Sequence, residues 1–221
     1  MAGSSTHGIE WAMFGLIDTS TGKLITGTDK GLSENGLYQT GKNVEGTTAV
    51  NIQNLEAAGT AQYADNKLMR VTKPAQSPTA DFTFLDMDWE VLNKLLGYGT
   101  TSTSADGGYS LATDKPHLAW IAASTDYKGN TVYEAFANCT AIDPTHSHQT
   151  DDASEQDVSA TLNTTAYSPI GDNFKNAQGK SMPYRKWNSN AKNFDYDKML
   201  AEVFPGYVKP TSTGTASTTS H

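Results

Sequence analysis

The stretch that decides the fold is Ala80–Gly99, Ala-Asp-Phe-Thr-Phe-Leu-Asp-Met-Asp-Trp-Glu-Val-Leu-Asn-Lys-Leu-Leu-Gly-Tyr-Gly. Its first half alternates apolar and polar residues, which is typical of a strand with one buried face. From Asp86 onward the apolar residues recur with helical spacing, and either Asp86 or Asp88 can cap the first turn. Gly97 favours the left-handed backbone that ends helices. The pattern therefore predicts a strand followed by an α-helix over about 86–97.

Strand-like segments surround this helix, and a helix of this length needs such a surface because it is marginal in isolation. Alternating or apolar runs predict strands at Trp11–Ile17, Lys23–Thr26, Thr47–Leu55, Thr60–Ala64, Leu68–Thr72, Tyr109–Ala112, His117–Ser124, Thr131–Ile142 and Asp157–Ala166. In the run ending at residue 142, strict alternation predicts one shared face for Tyr133, Ala135, Ala137, Cys139 and Ala141. The predicted fold is mainly β, an antiparallel β-sandwich or barrel with one flanking helix.

Two segments before residue 47 are predicted to lie outside this β body. Residues 1–10 are polar and are predicted to form an N-terminal arm. Residues 27–46 carry five glycines and no periodicity, and a connection of roughly this length is usually functional or disordered. Leu32, Leu37 and Tyr38 interrupt its polarity, so it either docks on a partner or folds back onto its own domain.

The C-terminal quarter is also predicted to be extended. Residues 168–194 are polar and irregular, and a second short helix is expected near 195–204 because its apolar residues keep helical spacing. Eight of the last eleven residues are Ser or Thr, which cannot bury enough surface to order themselves. The predicted division is an N-terminal arm 1–10, a β domain 11–170 with the long inter-subunit loop 27–46, a C-terminal extension 171–209 with a short helix, and a flexible Ser/Thr-rich tail 210–221.

Charge is distributed unevenly over an acidic chain with a net charge of −8. Residues 81–157 contain 13 acids and 3 bases, whereas residues 174–221 contain 7 bases and 3 acids. The asymmetry is consistent with contact between the basic part of one copy and the acidic middle of another, or simply with a solvated acidic face. An acidic body argues against wrapping a nucleic-acid backbone. The low hydrophobic content, 37%, indicates extended segments or contacts with other subunits.

Targeting signals are not apparent in the sequence. The first ten residues lack the basic and apolar regions of a signal peptide, and no apolar run approaches the roughly 20 residues that span a bilayer. Cys139 is the single cysteine and is expected to be a small buried hydrophobic residue. We therefore expect a protein that is made in a cytoplasm and does not enter a membrane by itself.

The sequence contains one weak candidate for a metal-binding or catalytic site. Asp143, His146 and His148, near further aspartates, could approach a metal-binding set, but their spacing matches no specific motif. A phosphate-binding loop and a Gly-x-Ser-x-Gly nucleophile turn are both absent from the sequence. The sequence therefore predicts no enzyme, no metal and no cofactor.

Three segments together carry a family resemblance. They are Trp11-Ala-Met-Phe-Gly-Leu-Ile-Asp through Gly31-Leu-Ser-Glu-Asn-Gly, Phe82-Thr-Phe-Leu-Asp-Met-Asp-Trp-Glu-Val-Leu-Asn-Lys-Leu-Leu-Gly, and Tyr133-Glu-Ala-Phe. With their spacing, roughly residues 8–170 resemble the major tail tube proteins of phages with long, flexible, non-contractile tails that infect Gram-positive bacteria. The resemblance is one of layout, because this family has no catalytic motif.

The resemblance implies a structural protein of the virion tail. It implies hexameric rings stacked into a hollow tube through which DNA passes without specific binding, and contacts with tape measure, terminator and distal tail proteins. It also implies that the long loop and the terminal arms bridge neighbouring copies, so the candidate contact residues are Leu32, Leu37, Tyr38, Tyr184 and Trp187. The alternatives are a β-sandwich adhesin or carbohydrate-binding module that uses exposed aromatics, and a hydrolase built on the His146 and His148 cluster.

Overall fold

The largest element of the protein is one antiparallel β-sheet. The structure is a computed structural model that describes residues 5–41, 45–100, 108–143, 145 and 159–209. Its strands are β1 (Thr6–Ile17), β2 (Leu37–Gln39), β3 (Gly46–Gln53), β4 (Thr60–Ala64), β5 (Lys67–Thr72), β6 (Thr79–Asp86), β7 (Tyr98–Thr100), β8 (Tyr109–Leu111), β9 (His117–Asp126), β10 (Thr131–Ile142), β11 (Ala160–Ala166) and β12 (Tyr184–Asn188). The helices are α1 (Trp89–Leu96) and α2 (Tyr196–Val203).

The main sheet has the strand order β2–β1–β9–β10–β11–β6–β3, and β12 pairs with the first half of β10. The sheet curls, so that β1 contacts β3 and the hydroxyl oxygens of Thr40 and Thr47 lie 2.8 Å apart across the closure. Two small sheets, β4–β5 and β7–β8, lie off the main one. The predicted class, a mainly β antiparallel fold with a flanking helix and a second short helix, is confirmed.

The stretch around residue 82 forms the strand and helix that its pattern predicts. Buried apolar side chains form two clusters, a first core on the concave side of the curled sheet and a second core on its convex side. Phe82 is 1% exposed and lies in the first core. Helix α1 follows Asp88, whose Oδ1 accepts a backbone N–H of the first turn at 2.9 Å, and ends at Gly97 with a φ of 80°. The predicted helix over about 86–97 is confirmed, and Asp88 rather than Asp86 is its cap.

Leu95 of α1 gives a direct test of how this helix packs. The side chain is 0% exposed and belongs to the first core. We expect Leu95→Ala to lower the free energy of unfolding by about 2–5 kcal/mol, since the substitution leaves a cavity. Chemical denaturation measures this loss. The matched control is Leu111→Ala at a side chain that is 54% exposed, for which a change within about 0.5 kcal/mol is expected. Equal losses in both variants would contradict the packing.

One predicted face in β10 is wrong because the strand contains a bulge. Its pairing with β9 shifts register between Phe136 and Cys139. A bulge inserts an extra residue and reverses the side on which the following side chains lie. The residues before it face the second core (Tyr133, Ala135 and Ala137), whereas Cys139 and Ala141 after it face the first. The five predicted residues therefore do not share a face.

The C-terminal segment covers the convex side of the same sheet. Ala119 and Ile121 of β9 face that side, and Phe174, Met199 and Val203 pack over it in the second core. A strand that is apolar on both faces needs such a cover. The helix predicted near 195–204 is confirmed as α2. The expectation that 168–194 is irregular throughout is wrong, because β12 pairs with β10 there.

The N-terminal boundary also differs from the expectation. Strand β1 begins at Thr6, which pairs with Asp126 of β9, so the second half of the predicted arm 1–10 belongs to the sheet. The strand predicted at Lys23–Thr26 is reduced to an isolated bridge between Ile17 and Leu24. The predicted tail 210–221 lies outside the described residues.

Candidate assembly surfaces

The long loop that was expected to reach a neighbour packs on its own subunit where it is described. Leu32 is 7% exposed and lies in the first core, and Lys94 of α1 donates to the carbonyl oxygen of Thr28 at 2.7 Å. Leu37 packs against the second core. Tyr38 donates to Glu45 Oε2 at 2.5 Å, and burial together with that carboxylate raises the pKa of Tyr38. Contact between these residues and another copy stays a prediction.

The two aromatic candidates in the C-terminal segment are likewise half-buried within the subunit. The hydroxyl of Tyr184 donates to Glu134 Oε1 at 2.5 Å, and burial and this carboxylate raise the pKa of Tyr184. The ring of Trp187 meets Phe174 edge to face, with ring centres 5.6 Å apart. Part of each ring remains accessible. A role at a subunit contact is therefore untested for both residues.

Only one of the weak metal candidates, Asp143, lies within the described residues. Asp143 lies just after β10, where its Oδ2 accepts the hydroxyl of Tyr98 at 3.3 Å. His146 and His148 lie outside the described residues. Within the described ranges, no three or more His, Cys, Asp or Glu side chains form a set that could hold a metal ion.

Cys139 has no features of a nucleophile. Its side chain is 0% exposed, and its Sγ donates to the carbonyl oxygen of Leu118 at 3.2 Å. Burial raises the pKa of the Cys139 thiol well above its ordinary value, so the reactive thiolate is disfavoured. The side chain acts as core packing, as expected.

The surface that stands out lies between β3 and β6. Strands β4 and β5 form a hairpin, Thr60–Thr72, whose residues are all exposed and which pairs with no other described strand. We call it the exposed hairpin. Four of its large apolar side chains face solvent, with exposures of 72% for Tyr63, 54% for Leu68, 62% for Met69 and 50% for Val71.

The register of the exposed hairpin sorts its side chains into two faces. Ala61 pairs with Val71 and Tyr63 pairs with Leu68, and residues directly opposite each other project to the same side. The polar pairs, Thr60 with Thr72 and Gln62 with Arg70, lie on the other side. The hairpin is therefore amphipathic, and within the described part of the subunit nothing covers its apolar face.

The base of the exposed hairpin is anchored, but its distal part has little support. At the base, Gln53 Nε2 donates to Asp81 Oδ2 at 2.9 Å and Asn54 Nδ2 donates to Thr79 Oγ1 at 3.2 Å. Farther out, Lys73 and Glu56 form an ion pair at 3.7 Å that is well exposed and contributes little. An isolated two-stranded hairpin is at best marginally stable in water. Docking against another protein surface would therefore stabilise such a hairpin.

The two strands of this hairpin were predicted from the sequence at Thr60–Ala64 and Leu68–Thr72, but no role was assigned to them, and their turn lies at Asp65 and Asn66. Both turn residues have the positive φ that such turns require, 50° and 56°. Strict alternation does not show the apolar face, because Leu68 and Val71 reach the same side only through the register shift at Met69. The sequence also cannot show whether the parent domain covers that side. The feature of the sequence that could have indicated a role is the long segment between β3 and β6, which ends in a loop with prolines at residues 74 and 78.

Comparison with known proteins identifies the family. No curated protein matches the chain. None of the described helices has the length and apolar character needed to cross a membrane. A family model described as phage tail tube protein matches residues 1–212, nearly the whole chain. The chain therefore belongs to the phage tail tube protein family and is a structural component of the virion tail.

Proposed function

We propose that this protein is a tail tube subunit of which six copies form a ring, that the rings stack into a hollow tube, and that DNA passes through the channel during ejection. The observation that carries the proposal is the exposed hairpin, because its apolar face is uncovered within the described part of the subunit. Large exposed apolar patches of this kind mark sites of protein association.

The exposed hairpin is suited to bridging copies. Each of its two arms continues a strand of the main sheet, and at roughly 3.3 Å per residue the arm from Asn54 to Asp65 reaches at most about 40 Å. Docking the apolar face on a neighbour removes its side chains from water, which stabilises by about 25 cal/mol per Å² of apolar surface.

The acidity of the chain fits a DNA conduit. The net charge is −8, and residues 81–157 carry most of the excess acid. At physiological salt, charge acts over about 8 Å, so carboxylates on a channel wall repel nearby phosphates and prevent sticking. Tape measure, terminator and distal tail proteins are the proposed partners at the inside and the ends of the tube, and the host is proposed to be Gram-positive.

Electron microscopy of the concentrated protein tests the proposal. We expect rings or tubes about 100 Å across, a size estimated from six domains of this mass around a pore. Sedimentation measures the assembled fraction, and a filter-binding assay with duplex DNA is expected to show no specific affinity. A protein that remains monomeric at every concentration and beside purified tail initiation complexes would refute the proposal.

A further inference from the structure

We propose that neighbouring copies also meet through a basic groove on one copy and an acidic corner on the next. The basic groove is lined by Lys186, Trp187, Asn188, Ala191, Lys192 and Phe194. The acidic corner is Leu85–Glu90, the turn from β6 into α1. The inference rests on the proposed function and specifies one contact that would build the assembly.

The basic groove is an open hollow of about 410 Å³ between β12 and the start of α2. Residues 185–194 contain three bases and no acid, in a chain whose net charge is −8. Arg185 is paired with Glu202 and lies over the ring of Trp187, 5.6 Å from its centre. Lys186 and Lys192 are exposed, and neither forms an ion pair within the described part of the chain. Their charge is available for a partner.

The acidic corner carries the complementary properties. Residues 81–90 contain four acids and no base. Asp86, Asp88 and Glu90 are exposed, and Leu85 and Trp89 beside them are 58% and 66% exposed. Glu90 pairs with Lys94 at 2.8 Å, but its side chain remains 63% exposed. Exposed apolar groups flanked by carboxylates match a groove whose lining includes two lysines and two aromatic residues.

The acidic corner and the aromatic side chains of the basic groove lie on opposite sides of the main sheet. Helix α1 contributes to the first core, whereas Trp187 and Phe194 pack against the second. One subunit therefore cannot satisfy its own groove with its own corner. A contact between two different patches is heterologous, and its repetition gives a closed ring or an open helix of subunits. Both outcomes are assemblies of the kind that a tube needs.

Charge reversal tests the contact. Lys186→Glu combined with Lys192→Glu is expected to slow assembly about tenfold, since steering by complementary charge contributes at least this factor. Asp86→Lys combined with Glu90→Lys is expected to do the same. A mixture of the two variants, or the chain with all four changes, is expected to recover assembly because the pairing is restored with opposite sign. Light scattering follows the rate at two salt concentrations.

The control variant introduces the same change in net charge at two lysines outside the basic groove. Lys23→Glu combined with Lys180→Glu alters two exposed lysines outside the groove and is expected to assemble at the wild-type rate. Circular dichroism and thermal melting establish that each variant is folded. Wild-type assembly by the groove variant, or no recovery with four changes, would overturn the inference. Loss of DNA binding in the groove variant with unchanged assembly would also overturn it and assign the groove to DNA.

The two proposals fail in distinguishable ways. A wild-type chain that forms neither rings nor tubes contradicts the proposed function before any variant is compared. Wild-type tubes that form equally well with reversed charges contradict only the contact between the groove and the corner.

Discussion

Replacing Tyr63, Leu68 and Val71 with serine is expected to weaken tube assembly strongly while the subunit remains folded. These side chains form the uncovered face of the exposed hairpin and contribute nothing to either core. If each loses about 1 kcal/mol of contact energy, as truncated interface residues commonly do, the sum of about 3 kcal/mol raises the concentration needed for assembly roughly 100-fold. Sedimentation over a concentration series measures this shift.

The opposite face of the same hairpin supplies the matched control. Thr60→Ser, Gln62→Ser and Thr72→Ser alter three exposed residues on the polar side and keep the backbone pairing. We expect this variant to assemble at nearly the wild-type concentration. The melting temperature should be unchanged in both triple variants, because neither set lies in a core. Normal tubes from the apolar-face variant would show that the hairpin is not the bridging element.

Phe82→Ala is expected to cause the largest loss of stability among single substitutions in β6, about 3–5 kcal/mol. The ring is 1% exposed and lies 4.9 Å from Trp120 and 5.1 Å from Phe14, measured between ring centres. These contacts join three strands, β6, β9 and β1, around one point. A loss of this size approaches half of the total stability of a typical domain.

Equilibrium unfolding in urea measures the effect of Phe82→Ala. The matched control is Leu85→Ala in the same strand, at a side chain that is 58% exposed, for which a change within about 0.5 kcal/mol is expected. Similar midpoints for Phe82→Ala and the wild type would show that the aromatic cluster is not the centre of the fold.

The segments that sequence reasoning described best are those whose pattern is local. The change from strand to helix after residue 85, the cap at Asp88 and the stop at Gly97 depend on side chains within a few residues of each other. The turn at Asp65 and Asn66 is local in the same sense. The switch of face in β10 was missed because the bulge depends on how that strand pairs with β9, which strict alternation does not encode.

The candidate site was only partly accessible from the sequence. The apolar residues of β4 and β5 and the unequal distribution of charge are visible in the order of residues, but the shared apolar face depends on the register shift between the two strands. Leu32 was expected at a subunit contact because it interrupts a polar loop, yet its side chain fills the first core. An apolar residue in a polar loop has the same appearance whether it is buried by its own domain or by a neighbour.

The order of residues alone was enough to establish a mainly β antiparallel chain, its two helices, its acidic character and its resemblance to tail tube proteins. These properties follow from short-range periodicity, capping and composition. Which apolar surfaces are covered within the subunit depended on the folded chain: the C-terminal segment closes the convex side of the sheet, while the exposed hairpin is left open. The reason is that burial depends on contacts between residues far apart in sequence, and those contacts exist only once the sheet has curled and been covered.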